Sequence, residues 1–368
     1  MQTVKNITNI KYFLSRAEIV DEEYIFNVNW HSLVKQTEWK SLPTFVTDFS
    51  NCSATSLPAI VTHDRHLITN HVWPLLAKVK NKPHKVHKMF TRWGDTVDIK
   101  MPPITKQFNE AWTYVWLPID ENSAENPWHI WIDVISKFRL LEKRWSTNFT
   151  KYVFILANPS NYFNKVVKEI FPELKYYIIP KNETWRFQQL IVPSMSNHLD
   201  GIVTPNLPPW LRHLGNLGIG YRESFKPHRK IFITRKDGSY RNITNQEQLL
   251  LALKGWETVT LDALTIKEQI KVFAEATHIL AAHGAGLTNL LWCAKGTKVI
   301  EIQLKEFIDK KVYPILSHHL GLKHSVYLAQ TDYVLGYDLN NPKVTKTKKL
   351  KAMVNLKVNI AELLKHLD

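Results

Sequence analysis

Taken for its apolar and polar positions alone, the chain falls into two differently patterned halves. In the first, short apolar, β-branched and aromatic runs bounded by polar or Pro positions occur at 59–62, 112–117, 152–157, 176–179 and 190–192, the pattern of strands. Between the second and third of these runs lies a helix. From Trp128 to about Trp145, apolar side chains recur at Trp131, Val134, Ile135, Phe138 and Leu141, a spacing that gathers them into one stripe. Strands alternating with helices predict a mostly parallel α/β layer.

Residues 201–227 are rich in Pro and Gly around a short amphipathic piece at 210–214, and read as an inter-domain connection. Beyond them the pattern is regular. A strand at 230–234 leads to a helix ending near Leu253, with Asn245 and Gln248 as its N-cap box. Strand 258–261, helix 266–275, strand 278–281, a Gly-containing turn, helix 287–293 and strand 298–302 follow. This β-α-β-α-β-α-β series is the plan of a Rossmann-like domain. A short amphipathic helix is expected at 358–367.

Composition narrows the function classes. A chain of 368 residues suits two domains with separate cores, and 44% hydrophobic with 22% charged residues excludes disordered and fibrous classes. The net charge of +15 favours anionic partners. Its Lys residues are dispersed, and the one dense run, Lys346, Lys348, Lys349 and Lys351, reads as a solvated face in preference to a nucleic-acid contact. Two distant cysteines, Cys52 and Cys293, encode neither a disulfide framework nor a zinc site and fit a reducing compartment. No apolar run has signal-peptide or membrane-spanning length, so a soluble or cytoplasmic chain is expected. Sequons at Asn6, Asn51, Asn148, Asn182 and Asn242 are those an Asn- and Thr-rich chain produces by chance.

The turn His283-Gly284-Ala285-Gly286-Leu287-Thr288-Asn289 joins an apolar strand to a helix. Such turns lie at the carboxyl edge of a parallel sheet, where ligands bind. Glycines and a helix start offer N–H groups to a diphosphate, but two glycines also serve a tight turn with no ligand. His283 is either a phosphate donor or a packed turn histidine. Arg235 ends a strand at the same edge, where a guanidinium suits a leaving phosphate; Arg241, in the following loop, reads on its own as a surface arginine. Glu301 lies inside an apolar strand, so it accepts from a ligand hydroxyl such as ribose or pairs with a basic neighbour. In the first half His129 and Asp133 stand four apart, off the apolar stripe. They form either an exposed ion pair or an acid–base pair. No Asp-X-Asp triplet occurs, which disfavours the common metal-chelating route to a sugar-nucleotide diphosphate. His63 and His66, and His318 with His319, match no metal-ligand spacing.

Residues 230–303, beginning KIFITRKDGSYRNIT and including AAHGAGLTNLLWCAKGTKVIEIQ, resemble the catalytic domain of glycosyltransferase family 61. The resemblance rests on Arg235, Arg241, the Glu268-Gln269-Ile270 helix, the 283–289 turn and the 299–302 strand, and continues through 313–327. In the first half Asn126, His129 and Asp133 match the family's Asn-x-x-His-x-x-x-Asp pattern. Asn242 stands where many members have a second Arg, and Pro127 and Trp128 are unusual fillers.

The resemblance implies a GT-B fold, two Rossmann-like domains facing a cleft, with an acceptor domain at 1–205, a linker at 206–228, a nucleotide-sugar domain at 229–345 and a helical tail at 346–368. It implies an inverting transferase using a UDP-sugar, xylose or GlcNAc, with no metal or other cofactor and a hydroxyl of a glycan or glycoprotein as acceptor. Asp133 becomes the general base with His129 beside it. Arg235, Arg241, His283, Gly284, Ala285, Gly286, Leu287, Thr288, Asn289 and Glu301 become the donor site. Golgi members carry a membrane anchor that is not written here, which implies a bacterial, viral or truncated source. The competing readings are a basic nucleic-acid binder and an NAD-type Rossmann protein. The second places its glycine turn after the first strand of the domain; here it follows a late one.

Overall fold

The computed structural model describes residues 2–7, 18–29, 31–41, 43–56, 59–63, 66–68, 84–87, 90–93, 96–99, 101–119, 124–145, 149–158, 160–195, 202–220, 226–235, 241–305, 308, 310–332 and 355–367. The Lys346 to Lys351 run and the Asn148 sequon lie outside them. The chain forms two units, one from residues 1–24 and 41–199, the other from 25–40 and 200–368.

The first unit is built on a sheet whose parallel part follows the sequence expectation. Strands β1 (Thr44–Thr55), β2 (Tyr114–Trp116), β3 (Val153–Leu156), β4 (Lys175–Ile178) and β5 (Thr184–Pro193) lie in the order β4-β3-β2-β5-β1. From β4 to β5 they run parallel, and β1 is antiparallel to β5 over nearly its whole length. The sheet then continues through mostly antiparallel strands drawn from the first hundred residues. The expected parallel layer is therefore only one end of a mixed sheet. β1, with sequence TFVTDFSNCSAT, carries too many polar residues to read as a core strand, yet Phe45, Phe49, Cys52 and Ala54 enter the same apolar cluster as Trp116, Ile155, Phe187 and Leu190.

The predicted helix of the first unit is present but is not amphipathic. His129–Ile135 is a π-helical segment, and helix α1 (Ser136–Trp145) continues it. Ile130, Ile132 and Leu140 are buried along with the expected stripe, and so are Lys137 and Arg139. A helix buried all round belongs to the core, and its polar members need partners. Arg139 finds Asp21 at 2.6 and 2.8 Å, and Asp21 also accepts from Thr44 at 2.6 Å.

In the second unit, β6 (Arg229–Ile233), β7 (Glu257–Val259), β8 (Ala276–Ala282), β9 (Lys298–Leu304), β10 (Lys323–Asp332) and β11 (Asn355–Lys357) lie in the order β7-β6-β8-β9-β10-β11. The first five are parallel, and β11 is antiparallel to β10. This is a doubly wound sheet in which the strand order reverses between β6 and β8. The sequence places Asn245 as a capping residue, but its side chain clasps Val358 instead, accepting from N–H at 3.0 Å and donating to C=O at 2.8 Å. The capping box belongs to the next helix, Ile266–Ala274, where Thr265 and Glu268 cap each other. After the Gly turn the expected α-helix is a 3-10 helix, Ala285–Trp292.

Residues 206–228, read as a linker, hold the helix Leu207–Gly218, and 25–40, read with the N-terminal domain, pair as a hairpin within the second unit. Phe26 of that hairpin lies edge-on to His319, ring centroids 4.7 Å apart, and Lys311 Nζ sits 4.4 Å from the centre of the Trp39 ring. Among the described residues no helix is long and apolar enough to cross a membrane.

Gly215 lies where the helix Leu207–Gly218 meets Trp292, and a Cβ there would stand 2.5 Å from the indole ring. Trp292 is 1% exposed and hydrogen-bonded to Asn289, so it has no room to retreat. Gly215→Ala is expected to lower stability in urea unfolding by about 1–3 kcal/mol, despite Ala's higher helix propensity.

Candidate active site

The candidate residues fall at the carboxyl edge of the second unit's sheet, where β6 and β8 diverge. Arg235 follows β6 and the 283–286 turn follows β8, so the reversal of strand order brings them together. Neither Gly284, extended at φ 171°, nor Gly286 lies in the left-handed region. Close approach explains both. A Cβ on Gly284 would stand 3.1 Å from Arg235 Nη1, and one on Gly286 would stand 2.8 Å from Leu261 Cδ1. Gly284 thus lets the guanidinium lie against the turn, and Gly286 lets the turn settle onto its neighbours.

Arg241 is no surface arginine. Its Nη1 donates to the His283 carbonyl at 2.8 Å, and its own φ is 58°, a left-handed value unusual for a side chain of that size. The loop that carries it is pinned from the far end of the chain, since Asn242 N–H donates to Asn355 Oδ1 and its carbonyl accepts from Leu356 N–H.

Glu301 pairs with basic neighbours. One carboxylate oxygen takes His283 Nδ1, and the other takes His324 Nε2 at 3.0 Å. His324 Nδ1 meets Ser317 Oγ at 2.8 Å. Both oxygens being engaged, Glu301 acts on the site through His283. The carboxyl is fully buried; burial raises its pKa, but the charge of His283 and hydrogen bonds from both histidines outweigh this and hold it at about 2. With Nδ1 committed, the other ring nitrogen of His283 is its only remaining polar atom. The Tyr313 ring lies 5.4 Å from the His283 ring, and burial together with the Glu301 charge pushes its phenol up.

Other members of the turn have structural tasks. Leu287 and Thr288 are 1% exposed. Asn289 donates to Gln269 Oε1 and to the Gly286 carbonyl, each at 3.2 Å, and accepts from Trp292 Nε1 at 2.9 Å. Its amide locks the turn onto the Ile266–Ala274 helix. Ala285 opens the 3-10 helix.

In the first unit, Asn126 accepts from Trp128 N–H at 3.0 Å and starts the π-helical segment. π-helical turns are rare and frequent at functional sites. This one carries His129 and Asp133, joined at 2.5 Å between Nδ1 and Oδ2. An exposed pair does not describe them, because the Asp133 side chain is only 14% exposed. Its Oδ1 is buried and has no hydrogen-bond partner among the described residues. Lys137, one turn on, donates to the Asp133 carbonyl at 2.8 Å.

Residues 125–300 match the family model described as Glycosyltransferase 61. That stretch, a little under half of the chain, is similar to glycosyltransferase family 61. The matched segment runs from the Asn126, His129, Asp133 motif to the strand that bears Glu301. A curated relative, a beta-1,2-xylosyltransferase of Oryza sativa subsp. japonica, is 26% identical over 109 residues, 27% of this chain. The chain spans 20% of that relative's length.

Sequence reading missed Lys137, Ser317, His324 and Tyr313. Spacing marks only the first, four residues after Asp133; His324 reaches the site on β10, which lies beside β9, and Tyr313 and Ser317 reach it from the helix Val312–Leu320 that precedes β10. Burial pushes the Lys137 ammonium down to about 7 from 10.5, against the opposing pull of Asp133. Between these values the unfolded chain binds the extra proton, so the cost of burying the charge is full below about pH 7 and is relieved as pH rises toward 10.5. Lys137→Met is therefore expected to gain stability over the wild type at pH 6 and to lose that advantage by pH 10, measured by urea unfolding across the range.

Proposed function

We propose that the chain is an inverting, metal-independent glycosyltransferase of the GT-B plan that moves xylose or GlcNAc from a UDP-sugar to a hydroxyl of a glycan or glycoprotein. The observation that carries this reading is the glycine turn at the strand-order reversal, with the Arg235 guanidinium against Gly284 and His283 fixed by Glu301. Backbone N–H groups, a guanidinium and an imidazole are the donors a departing diphosphate needs. The xylosyl donor draws support from the rice relative, and metal independence from the lack of an Asp-X-Asp triplet.

In the proposed reaction the acceptor oxygen forms a bond to the anomeric carbon as the bond from that carbon to the diphosphate oxygen breaks. Asp133 takes the acceptor's proton. Its buried, unpartnered Oδ1 is suited to a hydroxyl, while His129 fixes Oδ2. The negative charge that leaves with UDP is met by Arg235, His283 and the turn. Arg241 and Asn289 hold the turn's shape.

Asp133→Asn keeps the shape of the side chain and removes the base. It is expected to lower transfer from UDP-xylose or UDP-GlcNAc by about 10²–10⁴-fold while UDP affinity, measured by calorimetry, stays at the wild-type value. Full transfer activity in that variant would remove Asp133 from the base role.

A further inference from the structure

Residues of β9 alternate between the faces of the sheet. Ile300, Ile302 and Leu304 enter the apolar cluster on one side, so Glu301 and Gln303 face the other. Register carries that face across three strands. Ile233 of β6 pairs with Ala281 of β8, and Ala281 pairs with Glu301 of β9. Two positions further on, at the carboxyl edge, come Arg235, His283 and Gln303. The ladder reaches this row, since His283 N–H still donates to the Ile302 carbonyl at 2.9 Å. Gln303 is thus the lateral neighbour of His283.

Only 1% of Gln303 is exposed. Neither its Nε2 nor its Oε1 has a hydrogen-bond partner among the described residues. A buried carboxamide with both ends unsatisfied is destabilising and uncommon, and nothing in the strand's packing calls for one. The other two members of the row, a guanidinium and an imidazole, suit phosphate. A carboxamide is neutral and offers an acceptor beside a donor, which suits a neutral group presenting the complementary pair.

We propose that Gln303 is a ligand-binding residue of the donor site, hydrogen-bonding through both ends of its amide to the neutral part of the nucleotide sugar next to the diphosphate. The imide edge of uracil and the neighbouring hydroxyls of a sugar both have this chemistry. The inference rests on the donor-site reading given above.

Gln303→Met keeps length and volume and removes both polar ends. The test is calorimetric titration of the full chain and this variant with inorganic diphosphate, UDP, UDP-xylose and UDP-GlcNAc, beside thermal unfolding of each protein without ligand. The variant is expected to unfold at the same or a higher temperature, to bind inorganic diphosphate as the wild type does, and to bind the UDP-sugars about tenfold more weakly or worse. An equal loss for UDP and the UDP-sugars assigns the amide to the nucleoside; a loss confined to the UDP-sugars assigns it to the transferred sugar. Unchanged affinity for all four ligands overturns the proposal, whatever the unfolding temperature. So does an equal loss for inorganic diphosphate. A wild-type chain that binds none of the four overturns the donor-site reading itself.

Discussion

The second unit's site depends on one buried carboxylate. Glu301 has no exposed surface, and an ionised carboxyl in such a place is tolerated only when its oxygens are taken up. Two histidines do this, one from the strand edge that forms the turn and one from the neighbouring strand. The pairing ties β8, β9 and β10 together at the level of the glycine turn. It also settles which way the His283 ring faces, because the nitrogen bound to Glu301 is fixed inside the fold.

Around this pair, each remaining feature of the turn has a stated cause. Glycine at 284 is required by the approach of Arg235, not by backbone conformation. Arg241 accepts a left-handed backbone in order to hold the His283 carbonyl, a local cost of the kind that collects at functional sites. Asn289 anchors the turn to the preceding Ile266–Ala274 helix through Gln269 and to the 3-10 helix it sits in through Trp292. The first unit uses the same strategy on a smaller scale: the π-helical segment buries most of Asp133, engages one oxygen with His129 and leaves the other unpaired.

Much of the second unit was legible in the sequence because its strands are short, apolar and regularly spaced. Strands at 230–234, 278–281 and 298–302 lie within one or two residues of those observed. The strand order was not legible, since it depends on which crossovers pass which face. The first unit was read less well. β1 alternates polar and apolar residues under a mixed sheet, and the α1 region buries Lys137 and Arg139, the second through an ion pair with Asp21 that no periodicity reveals. Among the candidate residues, Arg235 and His283 stand out by type and position, and Asp133 by the family's Asn-x-x-His-x-x-x-Asp pattern. His324 and Ser317 do not, because His324 meets Glu301 only through the lateral pairing of β10 with β9, and Ser317 meets His324 from the intervening helix.

The central claim is that Glu301 fixes His283 so that its other nitrogen faces a nucleotide diphosphate. Nitrogen-15 NMR of the histidine-labelled chain, titrated with UDP, tests it most directly. The account predicts that His283 Nδ1 carries a proton shared with a carboxylate, before and after UDP is added, and that the Nε2 resonance moves as UDP saturates. An Nδ1 without its proton, or an Nε2 resonance that stays in place while UDP binds, would contradict it.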